Sequence, residues 1–113
     1  MKAQNKTEKD RIKIRFAAAI YKALKISELD SYRQLAKEAG MESAHIQRIS
    51  TGKLDLSLTK IIAISDAFGL SFKELAGYYD SLTDTDLDNF LQALKEQKRT
   101  KGNNTRLKKS PKS

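Results

Sequence analysis

The chain has no cysteine and no tryptophan, one histidine, one proline and five glycines. Without thiols there can be no disulfide, no thiolate metal site and no cysteine nucleophile. His45 is the only imidazole, so any metal or catalytic centre that needs two histidines is excluded. No stretch approaches the roughly 20 consecutive apolar residues that cross a bilayer. The longest local apolar run is Phe16 to Tyr21, and charges recur from Lys2 to Arg15, where a secretory leader would carry its apolar core. These features predict a soluble cytoplasmic protein without membrane contact. In that setting Asn5-Lys6-Thr7 and Asn103-Asn104-Thr105 are chance matches to glycosylation acceptors. So little proline and glycine suits helices joined by short connections. A length of 113 residues, 39% of them hydrophobic, allows one compact domain with tails.

Acidic residues are missing altogether from the C-terminal end. Residues 97–113 carry seven Lys/Arg and no acid, and residues 1–25 carry eight against two acids. The stretch 26–96 has seven basic and twelve acidic residues, so the net charge of +8 resides at the two ends. Basic ends around a mildly acidic body suit arms that track a phosphate backbone. They equally suit disordered ends that only solubilise.

The densest information lies in Tyr32 to Thr51, YRQLAKEAGMESAHIQRIST. Two helices that cross steeply need a small residue where they touch, a turn that tolerates positive φ, and apolar residues facing the core. Gly40 falls at the turn and Ala36 one helical turn before it, while Leu35, Ala39, Met41, Ile46 and Ile49 occupy inner positions. An ordinary helical hairpin explains amphipathicity but not this combination. The outer face of the second helix is left with Ser43, Ala44, Gln47, Arg48 and Thr51. Gln and Arg offer bidentate hydrogen bonds to base edges, and the short side chains permit close approach to a groove.

The rest of the chain reads as further helices. Thr7 with Asp10 resembles a capping box, which predicts a first helix from about Glu8 to Lys25, with Ile12, Phe16, Ala19, Ile20, Ala23 and Leu24 inward and Lys9, Arg11, Lys13 and Lys22 facing solvent or a polyanion. Ser31 with Gln34 starts the next helix and Gly40 ends it. The following helix spans about Ser43 to Ser50 and closes at Gly52. Ser57 caps a helix expected to be largely buried through Leu58, Ile61, Ile62, Ala67 and Phe68, ending at Gly69. Ser71 and Glu74 open a short helix that stops near Gly77 to Tyr79. Thr83 opens the last, whose Leu87, Phe90, Leu91 and Leu94 form an apolar stripe. That stripe either packs on its own domain or a second copy, the preferred reading, or binds a partner protein in the manner of an antitoxin-like regulator.

Other chemistry is poorly supported. Asp84, Asp86 and Asp88 imitate the start of a calcium loop, but Asn89 stands where glycine is needed and Lys95 where the bidentate glutamate belongs. No glycine-rich phosphate loop occurs, and His45 has no nucleophile beside it in a recognisable pattern. No cofactor, metal or enzymatic activity is expected.

The segments LAKEAG, HIQRISTGK and SLTKIIAISDAFGLSFKEL, in this order, give Ser31 to Leu75 a resemblance to the Cro and lambda-repressor (XRE-type) helix-turn-helix DNA-binding family. It implies an all-α, lambda-repressor-like five-helix domain, here with an additional C-terminal helix. The boundaries would be a disordered arm at 1–6, the DNA-binding domain at 7–80, an amphipathic helix at 81–99 and a disordered basic tail at 100–113. The resemblance further implies a nucleoid-associated, sequence-specific transcriptional regulator, a repressor, binding double-stranded DNA as a homodimer. Its half-sites would lie about one helical turn apart, roughly 34 Å. By position in the family pattern, Ser43, Ala44, Gln47 and Arg48 would read bases, and Ser31, Tyr32, His45, Thr51 and Lys53 would contact phosphates. The sequence departs from the family at three places. Tyr32 stands where glutamine is frequent, Ser50 where a glutamate pairs with the first helix, and Glu42 where Ser or Thr caps the recognition helix.

Overall fold

The computed structural model describes residues 6–107, with side chains from Glu8 to Gln97. It consists of six helices, α1 (Lys6–Ile26), α2 (Tyr32–Ala39), α3 (Ser43–Ser50), α4 (Leu58–Phe68), α5 (Phe72–Ser81) and α6 (Asp84–Leu107), with no strand among the described residues. Most of the start signals work as local chemistry predicts. Ser31 Oγ accepts from the Gln34 N–H at 3.2 Å, Ser57 Oγ from Lys60 N–H at 3.4 Å and Ser71 Oγ from Glu74 N–H at 3.0 Å. Glu74 returns the bond by accepting from Ser71 N–H at 2.8 Å, which completes a capping box. At α2 the return bond goes one residue earlier, from Asp30 N–H to Gln34 Oε1 at 2.8 Å.

The ends differ from expectation in three places. α1 already begins at Lys6, so Thr7 lies inside the helix rather than capping it. α5 continues to Ser81, past the stop expected near Gly77 to Tyr79. α6 runs to Leu107, past the boundary expected at residue 100. Lys, Gln and Arg between 95 and 101 are good helix formers, and extending an existing helix costs little per residue compared with starting one. The expected N-terminal arm up to Asn5 and the tail from residue 108 lie outside the described residues.

The core has two parts, and α1 lies between them. On one side Ile20 and Ala23 pack with Leu35, Ala36, Ile46, Ile49, Ile64 and Leu75, all at most 2% exposed. On the other Ala17, Ala18 and Ala19 meet Leu82 and Phe90, with Ile14, Tyr21, Leu87 and Leu94 packed around them. The single inward stripe expected for α1 is therefore too narrow, because three consecutive alanines let helices close on it from both sides. Ile12, placed in that stripe, is instead 46% exposed. α4 is also less covered than its composition suggests. It packs against α2 and α5, which bury Ile64 and Ser65 but leave Leu58 and Ile62 open. Each fully buried Leu or Ile contributes about 1.5–3 kcal/mol, so the first cluster carries most of the stability.

α6 is fastened to α1 by three contacts. The Phe90 ring meets Tyr21 edge-on at 5.6 Å. Asp86 Oδ2 accepts from Thr83 N–H at 3.0 Å and from Lys22 Nζ at 3.1 Å, so Lys22 pairs with an acid of its own chain instead of facing solvent or a polyanion. Leu87 and Leu94 lean on the same cluster, and of the four stripe residues only Leu91 stays exposed. α5 is tied down by Arg15, whose Nε donates to the Tyr79 carbonyl at 3.0 Å and Nη2 to that of Leu82 at 3.3 Å, with the guanidinium 5.1 Å from the Tyr79 ring centre. A cation placed on the last carbonyls of a helix satisfies acceptors that have no intrahelical donor.

Two glycines with positive φ bracket α3. At Gly40 (φ 70°) an added Cβ would meet nothing within 4 Å. At Gly52 (φ 75°) it would lie 2.9 Å from Ile14 Cγ1 and 3.2 Å from Ile14 Cα. Gly40→Ala should therefore cost about 1 kcal/mol, the left-handed penalty alone. Gly52→Ala should cost roughly 2 kcal/mol or more, because α1 backbone must also move. Urea unfolding of the two variants checks the order. The Thr83 backbone donor, and then Lys22, hold the Asp86 carboxyl below the usual carboxylate range. A depressed value means that this anchor is present above that range and is lost as pH falls through it. Asp86→Asn should flatten the acid limb of a melting-temperature profile and converge with the parent at the lowest pH.

Candidate nucleic-acid interface

α2 and α3 cross at the Gly40 turn, where Met41 N–H reaches back to the Ala36 carbonyl at 2.8 Å and closes the end of α2. Leu35 and Ala36 on α2 and Ile46 and Ile49 on α3 are buried, so each helix has its inner face fixed against the same core. The outward face of α3 follows from that orientation. Ser43, Ala44, Gln47 and Arg48 are all exposed, at positions i, i+1, i+4 and i+5, and form one continuous ridge. At the far end Gly52 brings the chain against Ile14, and Lys53 N–H bonds the Arg48 carbonyl at 3.0 Å.

The five residues expected to contact phosphates are not equally placed. Ser31 is exposed, and its oxygen only accepts within the protein, so its proton is available to a ligand. Lys53 is exposed directly after Gly52. Thr51 is half-buried, and its hydroxyl is directed at the carbonyls of Gln47 and Arg48 at 3.1 and 3.2 Å. His45 is half-buried, with Nε2 shielded and without a hydrogen-bond partner. Tyr32 packs against the main core, and burial, followed by the neighbouring Tyr21, pushes its phenol well above the ordinary value. Its hydroxyl therefore stays neutral, and no negative charge arises there to repel a polyanion.

The family departures also acquire a geometry. Ser50 is 7% exposed and donates to the Gln47 carbonyl at 2.9 Å, so this position is satisfied within α3 and has no need of an ion pair to α1. Glu42 occupies the N-cap of α3 without a side-chain cap bond. Its carboxylate is exposed at the end of the helix where the macrodipole favours negative charge. Among the described residues no three His, Asp or Glu side chains gather to hold a metal ion, and no helix is long and apolar enough to cross a membrane.

A family model described as the Cro/C1-type HTH DNA-binding domain matches residues 19–81. The chain belongs to this family. The Cro/C1-type span covers α2 to α5 and the second part of α1, and leaves out α6 and α1 up to Ala18. No curated protein and no solved structure matched the chain. As a Cro/C1-type protein it carries a DNA-binding domain whose all-helical architecture agrees with the sequence reading.

Two α1 residues that hold the helices in place, one at the end of α3 and one at the end of α5, escaped that reading. Ile14 sets how closely α1 approaches the end of α3, and the signal for it is only the position of Gly52. Arg15 gives no signal at all, because its acceptors are backbone carbonyls more than 60 residues away. A raised phenol value means that the contribution of Tyr32 to stability is complete below about pH 10 and is lost as pH rises above it. Tyr32→Phe should match the parent in thermal stability near neutral pH and exceed it at about pH 11, the ring being kept and the ionisable hydroxyl removed.

Proposed function

We propose that this Cro/C1-type protein is a sequence-specific transcriptional regulator that acts as a repressor. It binds a two-fold DNA site as a homodimer and places α3 in the major groove of each half-site. The reading is carried by one observation: four exposed side chains, Ser43, Ala44, Gln47 and Arg48, stand on a helix whose opposite face is locked into the core by Ile46 and Ile49. Gln47 and Arg48 are the residues with bidentate capacity, suited to adenine and guanine edges. Ser31 and Lys53 flank the ridge as donors to phosphate, joined by the backbone N–H at the start of α2 at Tyr32. Thr51, whose hydroxyl proton is directed at the Gln47 and Arg48 carbonyls, and His45, whose Nε2 is shielded, are secondary to these donors.

Glu42 acts against binding of arbitrary duplex, because its exposed carboxylate lies near the phosphates whenever α3 enters the groove. Specific sites offset that repulsion through base contacts, and random sites do not. Selection from a random duplex library is the direct test, and it should recover a sequence with two-fold symmetry. Arg48→Ala should cost about 1–3 kcal/mol on that sequence and relax preference at one base position. Lys53→Ala should weaken all duplexes alike and reduce the slope of log affinity against log salt by about 1. Equal losses on selected and random duplex for both variants would refute this division of roles.

A further inference from the structure

A groove between α1 and α6 lies almost wholly outside the span shared with the family. It encloses about 460 Å³ and is lined by the apolar Ile12, Ile14, Leu87 and Leu91 and the ring of Tyr79, together with Glu8, Arg11 and Arg15 of α1. Ile12 and Leu91, one on each lip, remain 46% and 43% exposed. We infer that this groove is covered by α6 of a second copy of the chain, running antiparallel across a two-fold axis at Leu91. The inference rests on the homodimeric reading above and names the surface that forms the dimer.

The argument comes from the charge order along α6. Asp84, Asp88, Leu91 and Lys95 are spaced four, three and four residues apart, so they share one stripe of the helix. Asp84, Asp88 and Lys95 are exposed, and none of the three belongs to the set that fastens α6 to α1. Both acids precede Leu91 and Lys95 follows it. In an antiparallel pair centred near Leu91 each residue faces one about equally far on the other side of the axis. Asp88, three residues before Leu91, then meets Lys95 of the second copy, four residues after it, and the two Leu91 side chains meet each other over the grooves. A parallel pair would set acid against acid and lysine against lysine. A two-fold interface must be self-complementary, and this stripe is. A different protein would have to supply the reverse charge order, whereas a second copy carries it already. α6 has 24 residues and is about 36 Å long, which is length enough for an interface of standard size.

Sedimentation velocity on the full chain tests this at low salt. The parent should be a dimer. Leu91→Asp should weaken self-association at least about tenfold while leaving the helical spectrum unchanged, since Leu91 is exposed and its loss opens no core cavity. Asp88→Lys and Lys95→Asp should each weaken it by about tenfold, less so as salt rises, because each pair occurs twice in the dimer and reversal adds repulsion. The double variant should recover to within about threefold of the parent, the coupling expected of residues in contact. A monomeric parent, a dimer that survives Leu91→Asp, or a double variant no better than either single one would each overturn the inference. If the charge-swapped dimer forms as expected but the parent selects no DNA sequence, the interface stands and the proposed function falls.

Discussion

The approach of Gly52 to Ile14 is the constraint on which the rest of the molecule depends. An added Cβ at this one position would press against both the side chain and the backbone of α1, so the end of α3 and the middle of α1 are held at a distance that only glycine permits. Because Gly52 also follows α3 in a left-handed conformation, the same residue fixes where that helix stops and where the next loop begins. Gly40 fixes the other end with no such crowding. α3 is thus clamped at one end by backbone contact and at the other by turn geometry. Ile46 and Ile49 set its rotation about its own axis.

From α1 the fixed geometry passes outward in both directions. One face holds the Cro/C1-type core and the other receives α6, with Ala17, Ala18 and Ala19 small enough for both to come close. Arg15 gathers the end of α5 onto α1, and Lys22 does the same for the start of α6 through Asp86. These charged contacts are partly exposed and contribute modestly to stability. Their effect is on placement, since they decide which side of α6 faces α1 and which side faces water. That choice leaves Leu91 and its flanking charges outward. The proposed dimer surface and the proposed DNA surface are therefore both consequences of how α1 is covered.

The contrast between the two faces of the protein has a simple physical basis. On the α3 ridge Ser43 and Ala44 are short, and the longer Gln47 and Arg48 side chains carry no hydrogen bond within the described residues, so a duplex bound there would break little that the protein has already made. The phosphate candidates vary because some of their polar atoms are already committed, as in Thr51, or shielded, as in the Nε2 of His45. Ser31 and Lys53 carry no such cost, which is why they lead the proposed backbone contacts.

Caps, glycines and hydrophobic spacing act over a few residues, and these the chain determines without help from the fold. Ser57, Ser71 and Thr83 start helices where their side chains can reach the third N–H onward, and α3 spans the residues that its pattern marks, Ser43–Ser50. The outward position of Ser43, Ala44, Gln47 and Arg48 follows from the same periodicity once Ile46 and Ile49 are inward. What spacing cannot convey is how many neighbours a helix has. The double burial of α1, the exposure of Ile12, Leu58 and Ile62, the bracket made by Arg15 and the packing of Tyr32 against the core each depend on partners distant in sequence. Burial is a property of the assembled surface and not of the segment, so only the packed tertiary structure decided which apolar residues were left to meet another molecule.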